Sequence, residues 1–404
     1  MSSFEEYITK AVRDGVLPGA VLYAKDKSAN NKGDLDYSKI ISPSSPSHIP
    51  ALQPSTTLFL ASATKLITTV AVLQLVERGL VTLDEDISSH VPALASQQVL
   101  RGFEKGEEGK PILEPRNNPL TLRALLTHSA GTAYDFLSPS LIQRWQALHG
   151  IVPVSGGDVE ARFSYPLLHQ PGEDWTYGNG IDWAGRVVEV LTGVDLGSYM
   201  QTNIFGPLGL TSFTFSRAEV VRQGTLWPLS GRDPSTGKVV PYTGLDLEAG
   251  ATSPLGGQGL YGRMDEYVQI LHSLLVDDGK LLRPETAAAM FEPQLGEVPK
   301  RALLREMEDP SWTVGDFPVT REYDWGLGGL LVDGDAHPHR KRGMLIWGGA
   351  ANISWWIDRE AGLAGVFGTQ IMPSGEVVTE DYIKAFEGEM YARVAALKRG
   401  GKKQ

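Results

Sequence analysis

The sequence predicts an α+β fold: an antiparallel sheet assembled from both ends of the chain, flanked by helices, with an all-helical lobe inserted in between. Three observations lead there. Helix-spaced apolar residues and a strand-like run open the chain, short β-branched and aromatic runs cluster near its end, and the middle is made of helical pieces separated by polar loops. The domain organisation expected is one domain, 1–404, with a sheet lobe at about 1–82 and 207–404 and a helical lobe at about 83–206.

Each element follows from local chemistry. Phe4, Tyr7, Ile8, Ala11 and Val12 recur as one face of a helix, and "LPGAVLYAKD" then reads as a strand. A Ser/Pro-rich passage around Ser42 to Pro54 reads as loop. From Ser62, the residues Leu66, Val70, Leu73 and Val76 mark a helix of about five turns ending at Gly79. Within the middle stretch, Thr121 is placed to cap the helix "LRALLTH". Further on, "GMLIWGG", "NISWWID" and "GLAGVFGTQI" read as strands, the last two joined by the turn "REAG". Ile383, Phe386, Met390, Val394 and Leu397 form a closing helical stripe.

Composition narrows the function. In 404 residues the hydrophobic content is 42%, enough for a large core, and the formal net charge is -11 with basic residues scattered. A nucleic-acid groove or an anionic membrane surface has no electrostatic support. With no cysteine, disulfides, thiolate metal sites and cysteine nucleophiles are excluded. The charged N-terminus "MSSFEEYITKAVRDGV" is unlike a secretory signal, and no uncharged apolar run reaches the ~18 residues of a membrane span. The expected location is cytoplasmic. The eight histidines form no ligand-like cluster beyond His337 and His339, which read as an exposed turn, so neither a metal nor another cofactor is expected.

The chemistry centres on "FLASATKLITTVAVLQLVERG". Ser62 and Lys65 stand three apart where an extended run becomes helical, so Lys65 can reach the Ser62 hydroxyl on one helix face. About one Ser-x-x-Lys match is expected by chance in such a chain. Ser235 and Lys238 in "DPSTGK" supply the control: the spacing is the same, but a Pro/Gly turn aims the two side chains nowhere in common. At the helix start, burial disfavours the lysine charge and the dipole repels it, while the Ser62 N–H can hold an oxyanion. The competing structural reading makes Ser62 a cap and Lys65 a solvated first-turn residue.

Two further elements strengthen the catalytic reading. In "PGEDWTYGNGIDWAG", Tyr177 can relay protons and Asn179 can orient the lysine. In "WGGAANISW", Gly348 and Gly349 let a substrate approach a strand end, where the N–H of Ala350 can complete an oxyanion hole. Gly257, Gly259 and Gly262 fit G-x-G-x-x-G, but no βαβ unit surrounds them, so they read as a turn entering the helix "MDEYVQILHSLL". His128 ends a helix, where a structural hydrogen bond is the default.

With these elements in order, the sequence resembles the serine β-lactamase-like superfamily: class C β-lactamases, DD-peptidases and family VIII carboxylesterases. "LTLRALLTHSAG", "FGPLGLTSFTF" and "WGLGG" look like its recurring segments. "LASATKLITTVAVLQLVERGLVTLDE" and "TYGNGIDWAGR" look like its fungal branch of lovastatin side-chain acyltransferases and statin-ester hydrolases. The resemblance implies a β-lactamase-like (DD-peptidase-like) fold, acylation of Ser62, Lys65 and Tyr177 as the acid/base pair, and an oxyanion hole from Ser62 and Ala350. It also places Tyr134 at the pocket edge as a substrate contact, with Asn179, Trp347, Gly348 and Gly349 around the substrate.

One departure is informative. Where β-lactamases and DD-peptidases carry a carboxylate-binding lysine, this chain has Trp347, which suits an apolar ester. The expected function is therefore a serine carboxylesterase or acyltransferase. Its donor would be an ester or thioester of an apolar, polyketide-like small molecule, and its acceptor water or an alcohol. A carrier protein as acyl donor is compatible with the same residues. A β-lactamase or DD-peptidase is the alternative enzyme, and a catalytically silent binding protein the alternative of another class.

Overall fold

In the computed structural model, residues 3–28, 35–43, 49–106 and 109–401 are described. Seven strands form one antiparallel sheet: Ala20–Asp26, Asp36–Ile41, Tyr323–Trp325, Leu330–Val332, Leu345–Gly349, Ile353–Asp358 and Leu363–Gly368. Across the sheet, Asp36–Ile41 lies at one edge, followed by Ala20–Asp26 and Leu363–Gly368. From there the C-terminal strands run back in reverse sequence order to the edge strand Tyr323–Trp325. The register Val21↔Gly368 thus joins the two ends of the chain, as the sequence predicts.

The inner strands are buried on both faces, so each face needs its own cover. One face packs against the terminal helices. There Phe367 and Trp356 meet Phe386 of the helix Val377–Gly401, and Phe386 meets Phe4 of the helix Ser3–Arg13. Gly365 leaves room for the Trp356 indole, since a Cβ there would lie 2.4 Å from the ring. The opposite face packs against the helix Met264–Val276, whose Met264 abuts Gly368.

The inserted lobe is helical apart from one hairpin, Val99–Phe103 with Pro111–Glu114, which the sequence reading did not anticipate. Thr121 caps its helix as expected, accepting the Ala124 N–H at 3.1 Å. The longest helix of the lobe, Gly180–Thr192, ends on Gly193 at φ +70° and packs against the helix Thr64–Glu77. That central helix is buried from Thr64 to Leu75, a wider burial than the single stripe the spacing suggests. It lies between the sheet and the lobe, so its polar residues must find partners inside: Thr68 donates to the Gly256 carbonyl at 2.6 Å and Gln74 to that of Leu281 at 2.9 Å.

Candidate active site

Ser62 lies in a 3₁₀ turn, Ala61–Ala63, one residue short of the helix Thr64–Glu77. The helix thus begins slightly later than its spacing predicts, and the turn supplies the reason. Ala61 has φ +46°, a left-handed conformation that costs a Cβ-bearing residue about 1–2 kcal/mol. The surroundings hold it there. Leu60 donates to the Leu260 carbonyl at 2.9 Å, Tyr267 to that of Ala63 at 2.8 Å, and Gln370 brackets Phe59 with two hydrogen bonds at 3.1 Å.

Lys65 is 1% exposed, and its Nζ meets three oxygens: Ser62 Oγ at 3.1 Å, Tyr134 Oη at 3.0 Å and the Gly257 carbonyl at 2.8 Å. The solvated-lysine reading is therefore excluded by burial. Ser235 and Lys238 behave as the control requires, with Ser235 bonded to Asp233 and Lys238 to the Asp14 carbonyl.

Tyr177 presents its ring to Lys65, with Nζ 4.8 Å from the centroid, while its hydroxyl accepts the Trp347 indole N–H at 3.1 Å. Below the ring lies His128, fully buried, with centroids 4.6 Å apart and its Nδ1 accepting the Gly178 N–H at 3.3 Å. Burial, with the nearby Lys65 charge, pushes the His128 pKa well down and keeps the ring neutral.

Tyr134 is buried rather than at an open edge; its hydroxyl donates to Asp182 Oδ2 at 2.8 Å as it accepts from Lys65. Burial and the Asp182 charge push its pKa far up, so it stays a phenol. Asn179 turns its amide N–H₂ to groups other than Lys65. Its Nδ2 donates to the Ala133 carbonyl at 2.6 Å and to Tyr165 Oη at 2.8 Å. The flanking glycines explain this: a Cβ on Gly178 would lie 2.3 Å from the Thr132 carbonyl oxygen, and one on Gly180 2.5 Å from that of Leu125. Such close packing buries Asn179 against the lobe, and it is not among the residues that line the cleft.

The strand Leu345–Gly349 completes the site. A Cβ on Gly349 would lie 2.1 Å from the Leu60 carbonyl, so only glycine lets the strand end press against the Ser62 turn and bring Ala350 beside it. Ser62, Tyr177, Trp347, Gly348, Gly349 and Ala350 share a cleft of about 110 Å³ with Tyr134, Phe136, Leu137, Leu247 and Trp312. Gln258, Thr313, Val314 and Ser374 complete its lining, in which no residue carries a formal charge. A broader depression of about 800 Å³ beside Phe213 and Arg217 contains none of the Ser62 network, so the chemistry belongs to the smaller cleft.

Asp182 and Gly257 are the members that sequence reasoning passed over. Asp182 stands in the quoted "TYGNGIDWAGR" as an acid between Ile181 and Trp183, a signal that could have been used. Gly257 was legible only as part of a turn. In the structure a Cβ there would lie 2.2 Å from Asp182 Oδ2 and 2.6 Å from Tyr134 Oη.

His337 and His339 are not the exposed turn expected: His337 is buried, and their ring nitrogens lie with Glu387 within 4.8 Å of one another. This is still a poor metal cage. His337 Nδ1 accepts the N–H groups of His339 and Arg340 at 3.4 and 3.3 Å, so the neutral ring carries its proton on Nε2, and Glu387 is occupied by Arg340.

The β-lactamase family model matches residues 5–389. The chain belongs to the β-lactamase family. Within it, the chain is 35% identical over 401 residues to the monacolin J acid methylbutanoyltransferase of Aspergillus terreus, covering 96% of this chain and 95% of that protein. It is 38% identical over 400 residues to the lovastatin esterase of Penicillium rubens, covering 96% and 98%. A simvastatin synthase mutant from Aspergillus terreus superposes with a TM-score of 0.87 at 36% identity, covering 97% of this chain and 95% of that one. The likeness to this structure thus spans nearly the full length of the chain. No described helix is long and apolar enough to cross a membrane.

Proposed function

We propose that this β-lactamase-family member is a serine acyl-transferring enzyme that takes an acyl group from an apolar small-molecule ester or thioester and passes it to water or an alcohol. The observation that carries the reading is the Ser62 hydroxyl 3.1 Å from a buried Lys65 amine in an uncharged, aromatic cleft. As Ser62 Oγ bonds to the acyl carbon, its proton passes to Lys65 Nζ and the carbonyl electron pair moves to oxygen, facing the N–H groups of Ser62 and Ala350. Collapse expels the donor's alkoxide or thiolate, which takes a proton delivered through Tyr177 at the cleft wall. Water or an alcohol then repeats the sequence in reverse.

The relatives named above are a methylbutanoyltransferase and an esterase for statins. Their names support a polyketide-like donor or acceptor from secondary metabolism. Trp347 favours the same class, because it presents an apolar face, its one N–H given to Tyr177, where an acidic peptide or β-lactam substrate would need a cation.

Intact-protein mass spectrometry after mixing with an activated short-chain ester tests the reading. An acyl adduct on Ser62 is expected. Rapid loss in water marks a hydrolase, and persistence until an alcohol is added marks an acyltransferase; no adduct from any donor would return the silent binding protein. Tyr177→Phe should lower kcat by roughly 10²–10⁴-fold with a smaller change in KM. Steady-state kinetics near wild type would remove Tyr177 from proton delivery.

A further inference from the structure

The Lys65 amine is surrounded by more oxygens than its reactive form has hydrogens. A neutral amine offers two N–H donors and one lone pair, yet Nζ faces Ser62 Oγ, Tyr134 Oη and the Gly257 carbonyl. The carbonyl can only accept. Ser62 and Tyr134 can each either donate or accept, so the lone pair could turn to either one. Only a lone pair aimed at Ser62 can take its proton.

Asp182 decides between them. Its side chain is fully buried; Oδ1 accepts the Gly257 N–H and Oδ2 accepts the Tyr134 hydroxyl, both at 2.8 Å. With its proton committed to the carboxylate, Tyr134 presents only lone pairs to Lys65. Both amine hydrogens then have acceptors, in Tyr134 and Gly257, and the remaining lone pair faces the Ser62 O–H. We propose that Asp182 is a positioning residue that sets the direction of this hydrogen-bond network, so that Lys65 accepts the proton of Ser62 rather than that of Tyr134.

The inference rests on the proposed role of Lys65 as the base for Ser62. Other groups facing Asp182 do not replace its function. Arg162 contributes a positive field, but its guanidinium donates to the carbonyls of Gly156, Leu247 and Ala249. Tyr165 gives its hydroxyl proton to the Ala133 carbonyl. Burial raises the Asp182 pKa, opposed by Lys65, the Gly257 N–H, Tyr134 and Arg162. The network needs the carboxylate form, because a protonated Asp182 could donate to Tyr134 and reverse it.

Asp182→Asn tests the direction with almost no change in shape. The Gly257 N–H claims the amide oxygen, so the amide NH₂ faces Tyr134 Oη and the phenol proton turns toward Lys65. The pH-independent plateau of kcat should fall about 100-fold or more, with KM within about threefold. In a Tyr134→Phe background there is no phenol proton to misdirect, so adding Asp182→Asn should cost no more than about threefold further. Tyr134→Phe alone, which leaves the lone pair on Ser62, should cost about tenfold at most.

A purely electrostatic role would move the acidic limb of the pH profile and leave the plateau alone. A purely structural role would lower the melting temperature without touching kcat. Either result, or losses from the two substitutions that simply multiply, overturns the proposal. Should Asp182→Asn fail to fold, Tyr134→Phe still decides: a loss as deep as that of Lys65→Ala would make the Tyr134 hydroxyl itself the base. Ser62→Ala separates the two readings. If it keeps turnover, the serine mechanism fails; if it is inactive while Asp182→Asn is not, only the role of Asp182 fails.

Discussion

Replacing Ser62 by alanine should abolish ester turnover while leaving the melting temperature within a few degrees of wild type. The expected drop in kcat is on the order of 10⁴–10⁶-fold, because the nucleophile and its base act as a unit and the residual rate is what binding and the oxyanion hole achieve alone. The structural cost is small for two reasons. Ser62 is only partly buried, so no deep cavity forms, and its one described side-chain hydrogen bond is the one from Lys65. The turn around it is held through the backbone, by Leu60 with Leu260 and by Tyr267 with Ala63. Burst kinetics with a chromogenic ester and a thermal melt check both halves of the expectation. Undiminished turnover in a folded variant would end the serine mechanism.

The sheet and the serine–lysine pair were legible because both are written in local periodicity. Strand alternation and hairpin turns encode Leu345–Gly349, Ile353–Asp358 and Leu363–Gly368, and the three-residue spacing of Ser62 and Lys65 encodes a shared helix face. What periodicity could not encode was the company Lys65 keeps. Tyr134, Asp182 and Gly257 reach it from segments that lie 69 to 192 positions away along the chain. The packing of the helix Gly180–Thr192 onto Thr64–Glu77 brings Asp182 there, and Asp182 in turn bonds Tyr134 and Gly257. Periodicity was equally silent on Asn179, whose Nδ2 is taken by the Ala133 carbonyl and Tyr165 of the lobe. His337 and His339 were hidden for a related reason, since a polar, turn-like stretch is covered here by the distant helix Val377–Gly401.

That covered stretch holds the largest expected stability effect. Arg340 and Glu387 are 0% and 1% exposed at their side chains and form a bidentate pair at 2.6 and 2.8 Å. The pair ties the strand-connecting segment to the C-terminal helix. Burial alone would raise the Glu387 pKa, but the Arg340 charge and its two hydrogen bonds outweigh it and hold the carboxyl at about 2. In Arg340→Met the carboxylate stays buried without its cation, which should cost about 3–5 kcal/mol at neutral pH, whereas Arg340→Met with Glu387→Leu should recover most of that loss. The pH dependence has a defined sign. In the wild type the folded pKa lies below the ordinary glutamate value of 4.5, so the pair's contribution is complete above about pH 4.5 and fades as the pH falls toward 2. In Arg340→Met, burial is opposed only by the lesser pull of His339, 3.3 Å from Glu387, so the folded pKa rises and protonation relieves the variant as the pH is lowered. Denaturant midpoints for both proteins at pH 7 and pH 4 should therefore show a gap that narrows at the lower pH. A gap of constant size would mean that Arg340 acts through packing against Phe317, 5.5 Å from its guanidinium, and not through its charge.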